Sequence, residues 1–382
     1  MNLFLHFHSK YDKMRTTNDV RNFRKGINIM AVYRIGSVGL GGISGGVHIP
    51  GIRASADLKL TALCDIDEKR LRERAEAYGI PEDHCFTDYR DLIACPDVDA
   101  VDISTPNNVH FEIAAAAARA GKPYGIEKPV TMDTAEAVEL AKITKDAGVA
   151  SMIYFSYRYK AAARYLRSLL LSGKFGAIHH VSMQYYQAWG LRNANCPLVW
   201  RYVKSVAASG ALGDLGCHGL DLVSFVTGQQ YTSVVSHLGT IVDERRLPNG
   251  EGTGKVDVDD FSNILAEMTG GISATFQISR FNYGRGNYQR MEVYGERGAL
   301  VYHLDRIPGV DELEIADEST GGKYVTVEIP QEMRVDQMQS FADVLNGCGD
   351  GLNADINDGV VNERLLDAII ESSEIKKWVS LI

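Results

Sequence analysis

No Cys-x-x-Cys pair occurs in this chain. Its six cysteines, Cys64, Cys85, Cys95, Cys196, Cys217 and Cys348, are scattered, a pattern that gives neither a zinc ribbon nor a redox dithiol and reads as reduced thiols in a cytoplasm. No apolar run reaches the ~18 residues of a membrane span. Residues 3–7, interrupted by His6, are too short for a signal-peptide core. The expected location is therefore cytoplasmic. Past the amino terminus there is no long run of lysine or arginine, and the formal net charge is −9, so a nucleic-acid backbone finds no electrostatic footprint. Internal repeats and low-complexity tracts are absent too.

What remains is a globular composition, 45% hydrophobic and 23% charged over 382 residues, enough for two domains rather than one core. Residues 1–30 stand apart: they carry Lys10, Lys13, Arg15, Arg21, Arg24 and Lys25 with little hydrophobic period. Two readings stand for them, a leader with Met14 or Met30 as alternative starts, or an ordered arm on a partner subunit. From Tyr33 the chain alternates strand-like and helix-like segments: strands over 33–38, 58–64, 100–104, 124–127 and 149–155, helices over 109–120 and 134–147. That rhythm predicts a doubly wound parallel sheet over residues 31–155. Residues 156–382 change style. Helices are expected near 161–171 and 215–226, with strands at 178–187, 261–268, 272–279, 289–294 and 326–329 in a mainly antiparallel arrangement; helices near 331–345 and 360–377 close the chain.

Gly39-Leu40-Gly41-Gly42-Ile43-Ser44 follows a strand and opens a helix, the context of a dinucleotide cradle. Gly39 makes the tight turn, Gly41 and Gly42 admit the diphosphate, Ile43 lies on the helix amino terminus, and Ser44 replaces the usual third glycine with a small residue. Asp65 ends the second strand, where a carboxylate accepts from the adenine ribose and repels a 2′-phosphate. NAD is expected over NADP, with Lys69 and Arg70 nearby as opposing charges.

Three further stretches occur in order: Ser104-Thr105-Pro106-Asn107-Asn108-Val109-His110, Glu127-Lys128-Pro129, and Gly213-Asp214-Leu215-Gly216-Cys217-His218. The combination resembles the glucose-fructose oxidoreductase / inositol dehydrogenase (Gfo/Idh/MocA) family from Tyr33 onward. The resemblance implies an NAD-binding Rossmann domain followed by an α/β domain with a large open sheet that also serves oligomerisation. It implies a catalytic set of Lys128, Asp214 and His218, and a cis Lys128-Pro129 bond. Ser104, Thr105, Pro106, Asn107, His110, Glu127 and Lys128 are expected on the cofactor side. Arg158, Trp200 and Arg201 resemble family positions and join Lys128, Asp214 and His218 as substrate contacts, with Tyr157, Tyr186 and Trp189 as aromatic candidates.

Physically, Asp214 and His218 are four apart and share a helix face. His218 titrates in the range of a general base, Lys128 suits a developing oxyanion, and Asp214 suits a neighbouring hydroxyl; the roles of Lys128 and His218 are exchangeable. Asp221 falls near the same face, but no metal is expected, because the resemblance implies a nucleotide here. The expected activity is hydride transfer between nicotinamide and a hydroxyl carbon of a sugar, polyol or glycoside, C3 of a glycoside included. Two other readings stay open: glycoside cleavage with NAD recycled in place, and a non-catalytic nucleotide or sugar sensor.

Overall fold

The computed structural model describes residues 31–381; the expected arm over residues 1–30 lies outside the described residues. Six strands, β1 (Tyr33–Val38), β2 (Leu58–Cys64), β3 (Cys85–Phe86), β4 (Ala100–Ile103), β5 (Tyr124–Ile126) and β6 (Ser151–Ile153), form one sheet in the order β3-β2-β1-β4-β5-β6. Every pair is parallel. Helices on both faces bury these strands, so β4 is buried at all four positions. The order reverses between β1 and β4, and at such a reversal the carboxyl ends of the strands open a crevice. Local chemistry sets the helix ends. Asp133 caps Thr134–Ala147 by accepting from Glu136 N–H, and Gly148, at φ 65°, closes it.

The second sheet comprises β7 (Ile178–Tyr186), β8 (Tyr231–Gly239), β11 (Phe261–Met268), β12 (Ile272–Ser279), β13 (Tyr288–Gly295), β14 (Gly298–Leu304), β15 (Asp311–Asp317), β16 (Val325–Thr326) and β17 (Val379–Ser380). A hairpin of β9 (Glu244–Arg246) and β10 (Thr253–Lys255) stands apart. The nine-stranded order is β16-β15-β14-β13-β7-β12-β11-β8-β17, antiparallel except between β7 and β12. Strands β11 and β12 alternate buried and exposed positions, which leaves one face to helices and the other to solvent. The covering helices are Ala161–Leu171, Cys217–Thr227 and Ile356–Ile375. No helix among the described residues is long and apolar enough to cross a membrane.

Several expected elements shift. The strand expected at 326–329 is the two-residue β16, and β14 and β15 take the larger share of that end of the sheet. The helix expected from 331 starts at Gln337, because Asp336 accepts from Met338 and Gln339 N–H and fixes the start there. It packs back on the first sheet, placing Met338 and Phe341 beside Ile35 and Leu58. The last helix starts at Ile356, four residues before the expected 360, because Asp355 and Asp358 form a reciprocal cap. The 215–226 helix is preceded by a π-helical turn, Leu212–Gly216, and a second such turn, Ser44–His48, follows the glycine loop. Turns of this kind concentrate at functional sites.

Helix Ile356–Ile375 also packs on Thr134–Ala147 of the first sheet. Its Glu363 is buried and accepts from Thr131 N–H at 3.1 Å. Burial pushes this carboxyl up to about 8, with the Thr131 N–H bond opposing and Asp367 adding to the shift. A carboxyl raised in the folded state binds its proton more tightly there than in the unfolded chain, so stability falls as pH climbs from the ordinary 4.5 towards 8. Glu363→Gln keeps an acceptor for Thr131 without the charge. Its melting temperature should exceed the parent's at about pH 9 and match it at about pH 5; equal melting curves at both would show Glu363 to be ionised without cost.

Candidate active site

A cleft of about 1670 Å³ opens at the carboxyl ends of β1, β2, β4 and β5 and runs to the inner face of the second sheet. At one end lies the glycine loop. Gly39 has φ 86°, and a Cβ there would lie 2.7 Å from the Ser104 carbonyl, so only glycine fits. Ser104 Oγ donates back to the Gly39 carbonyl at 2.7 Å and closes the turn. A Cβ on Gly41 or Gly42 would meet no atom within 4 Å; the space it would enter is the cleft itself. That is the form of a diphosphate cradle.

Asp65 is buried at the end of β2 and accepts from Leu40 N–H and Asp67 N–H, both at 2.8 Å. Arg70 Nη1 also donates to its two oxygens, at 3.2 and 3.0 Å. The carboxylate is thus aimed beside the loop, as a ribose acceptor must be, with a guanidinium already on it. Thr105 Oγ1 is buried at the cleft wall with no hydrogen-bond partner, an atom suited to a polar ligand. Ile43, Pro106, Asn107 and Glu127 line the same wall. Asn107 Nδ2 donates to the Ala207 carbonyl and so ties this wall to the second half.

The floor of the cleft carries Lys128, Asp214 and His218 together. Lys128 follows β5, and its bond to Pro129 is cis. Lys128 Nζ donates to the Asp214 carbonyl at 2.9 Å and lies 3.4 Å from Asp214 Oδ1, which Arg201 Nε approaches at 3.5 Å. Burial works against the Asp214 carboxylate, but Lys128 and Arg201 bring it down to about 2. Burial likewise works against the Lys128 ammonium, yet the anionic surroundings hold it above the ordinary lysine value. Cys217 is one of those neighbours only as a thiol: burial pushes it up and keeps it protonated, which leaves Asp214 and Glu127 as the effective counter-charges. His218 is driven well below the ordinary histidine value by burial and by the Lys128 charge. Its Nδ1 is buried without a partner, so Nε2 is the nitrogen able to meet a ligand.

Around this floor stand Tyr157, Tyr185, Gln187, Trp189, Trp200 and Asn287. The Tyr157 and Tyr185 hydroxyls are 2.5 Å apart, and both reach Asn287 Oδ1, at 3.1 and 2.7 Å. Gln187 Nε2 donates to the same oxygen at 2.9 Å. The Arg201 guanidinium lies 4.3 Å over the Trp200 ring. Tyr157 also meets the His218 ring edge-on at 4.7 Å.

Three expected contacts are corrected. His110 does not reach the cleft: it is fully buried, with its ring nitrogens 2.9 Å from the Pro129 and Thr105 carbonyls, and it braces the two loops from behind. Arg158 is buried against Asp221, with bonds of 2.8 and 2.5 Å; this ion pair also accounts for Asp221. Tyr186 points to the opposite face of β7 and bonds Gln277, while its neighbour Tyr185 faces the cleft. Tyr185, Gln187 and Asn287 had no motif to mark them. The parity of β7 decides the first two, and only the pairing of β13 with β7 brings the Asn287 turn alongside.

Residues 33–155 match the model of an oxidoreductase family with an NAD-binding Rossmann fold, and residues 163–301 match the GFO/IDH/MocA C-terminal domain. The chain is 31% identical over 353 residues to levoglucosan dehydrogenase of Pseudarthrobacter phenanthrenivorans, covering 84% of this chain and 88% of that protein. With inositol 2-dehydrogenase of Rhizobium meliloti it shares 28% over 91% of this chain and 99% of the relative. Among solved structures, an oxidoreductase domain protein from Kribbella flavida superposes with a TM-score of 0.84 at 31% identity, covering 92% of this chain and all of that one. A levoglucosan dehydrogenase in complex with NADH does so at 0.83 and 28%, covering 92% of this chain and 99% of the other. Glycine cradle, Asp65 and the ionised floor of the cleft thus sit in a chain that belongs to the Gfo/Idh/MocA family of oxidoreductases and takes NAD as its cofactor.

Proposed function

We propose that this enzyme oxidises a secondary hydroxyl of a sugar, polyol or glycoside, with C3 of a glycoside among the candidate positions. The observation that carries the reading is the floor of the cleft, where a neutral histidine, a charged lysine and an ionised aspartate converge within a ring of hydroxyl-reading side chains. Residues 31–155 hold the nucleotide and residues 156–381 shape the substrate side. Relatives named for levoglucosan and inositol support a hydroxyl-rich ring as substrate.

The nicotinamide, when bound, accepts a hydride from the substrate carbon. His218 Nε2 takes the hydroxyl proton, since this ring is neutral at ordinary pH. Lys128 donates to the same oxygen and stabilises the charge that develops on it. Asp214 holds a neighbouring hydroxyl, and Asn287 with the two tyrosines reads others around the ring. Trp189 and Trp200 offer apolar faces to ring carbons.

Four outcomes test this. Absorbance of NADH should rise with NAD and one class among levoglucosan, inositols, and O- or C-linked glycosides, and should vanish in Lys128→Ala. Silence across the panel, with product formed and nucleotide retained, would instead indicate a redox-neutral cleavage. His218→Ala should lower kcat by about 100-fold or more; full turnover there with none in Lys128→Met would move the base to the lysine. Because His218 is depressed below 6.5, kcat/KM for oxidation should stay level as pH falls through 6.5 and drop only in more acidic solution. Gly41→Val should weaken NADH binding more than about tenfold with little change in melting temperature, since its side chain enters only the cradle.

A further inference from the structure

Behind the floor of the cleft lies a set of ionisable groups that the chemistry above does not use. His48 ends the π-helical turn that follows the glycine loop, and it is fully buried. Its Nδ1 lies 2.9 Å from Asp102 Oδ1 on β4, and its Nε2 lies 3.1 Å from Glu127 Oε1 just after β5. Asp102 is itself fully buried and accepts from Ser37 Oγ of β1 at 2.7 Å on its other oxygen. Tyr154, beyond β6, lies against the ring at 4.5 Å between centroids. A histidine that meets a carboxylate at each nitrogen donates from both, which only the imidazolium can do. Burial opposes that charge, but Asp102 and Glu127 outweigh it and hold His48 at about 10.

Glu127 does not end there. Its second oxygen, Oε2, accepts from Lys128 N–H at 3.2 Å. Lys128 continues to Asp214, and Asp214 to Arg201. Two clusters thus meet at one residue: Asp102, His48 and Glu127 behind the floor, and Lys128, Asp214 and Arg201 on it, joined through the Lys128 backbone N–H. Together they run from beneath the nucleotide cradle to the substrate side of the cleft.

We propose that His48 is a positioning residue for the reaction: clamped between Asp102 and Glu127, its imidazolium keeps Glu127 ionised and bound to the Lys128 backbone, and so fixes both the place and the charge of the lysine ammonium. The proposal rests on the reading of Lys128 as the cation at the reacting oxygen. Without His48, the buried Glu127 loses the cation that helps hold its carboxyl below the ordinary value, and it takes up a proton more readily. A neutral Glu127 no longer offsets the desolvation of Lys128, and the lysine drifts towards its neutral amine. The same clamp joins the turn after the glycine loop to the end of β5, so cradle and lysine are set by one bond pair.

The test reads Lys128 itself, in the full-length protein without added nucleotide. Trace labelling with acetic anhydride across pH, with peptide mass detection, gives the midpoint at which Lys128 becomes reactive. In the parent that midpoint should lie above the ordinary lysine value of 10.5. His48→Gln and Glu127→Gln should each move it down by about a unit or more, and the alkaline limb of kcat should move with it while kcat falls about tenfold. His48→Lys, which restores a donor and the charge, should return the midpoint towards the parent's. A His48→Gln protein that melts earlier but keeps the parent midpoint and pH profile would overturn the proposal and leave His48 a fold-stabilising residue. Should His48→Gln not fold, the other two variants decide: a parent-like midpoint in Glu127→Gln, or a lowered one in His48→Lys, overturns it. Turnover retained in Lys128→Ala would overturn the functional reading instead, while the labelling midpoints would still settle the role of His48.

Discussion

The bond from Lys128 Nζ to the Asp214 carbonyl, 2.9 Å long, joins the end of the parallel sheet to the first turn of the helix that lines the second sheet. Both of its ends are held from behind. On one side His110 faces the Pro129 carbonyl, Glu363 holds Thr131 N–H, and Glu127 holds Lys128 N–H. On the other, buried Asp259 accepts from Gly210 N–H at 2.6 Å and Leu212 N–H at 2.8 Å, anchoring the π-helical turn that carries Asp214. Gly210 is required there, because a Cβ would lie 1.8 Å from the Asp259 carbonyl oxygen. Catalytic groups on rigid element ends keep their geometry better than groups on loops, and this floor is built from such ends.

Much of this was legible in the residues. The glycine loop, the acidic end of β2 and the alternation of strand and helix mark the nucleotide half, because each follows from local chain geometry. The motif residues Lys128, Asp214 and His218 are close in the fold because their elements end at one crevice. What stayed hidden depends on distant partners. Arg158 reads as a free guanidinium until Asp221, 63 residues on, is found against it. His110 reads as a ring on the cofactor side, yet backbone carbonyls face both its nitrogens. Choosing Tyr186 over Tyr185 is an error of one position, and in a strand one position changes the face. A signal for the buried clamp was present: Asp102 interrupts the apolar strand Ala100–Ile103, and a carboxylate at such a place needs a partner.

The same burial acts on His218 and Lys128 with opposite results, and the difference lies in their neighbours. Two ionised carboxylates, Glu127 and Asp214, flank the lysine and keep it charged; the histidine meets the lysine's positive charge and aromatic edges, and stays neutral. On the proposed chemistry these neighbours widen the ordinary gap between a lysine and a histidine and sort the two groups into stabiliser and acceptor. It also defines what Asp214 contributes. When His218 takes the substrate proton, Lys128, Asp214 and His218 pass together from a net charge of zero to plus one. Without Asp214 the same step would place two cations side by side in a buried floor, passing from plus one to plus two, and the transfer would be opposed at each turnover. A carboxylate held down to about 2 remains ionised across the whole working range, so Asp214 serves the proton transfer by its charge as well as by any hydroxyl it holds.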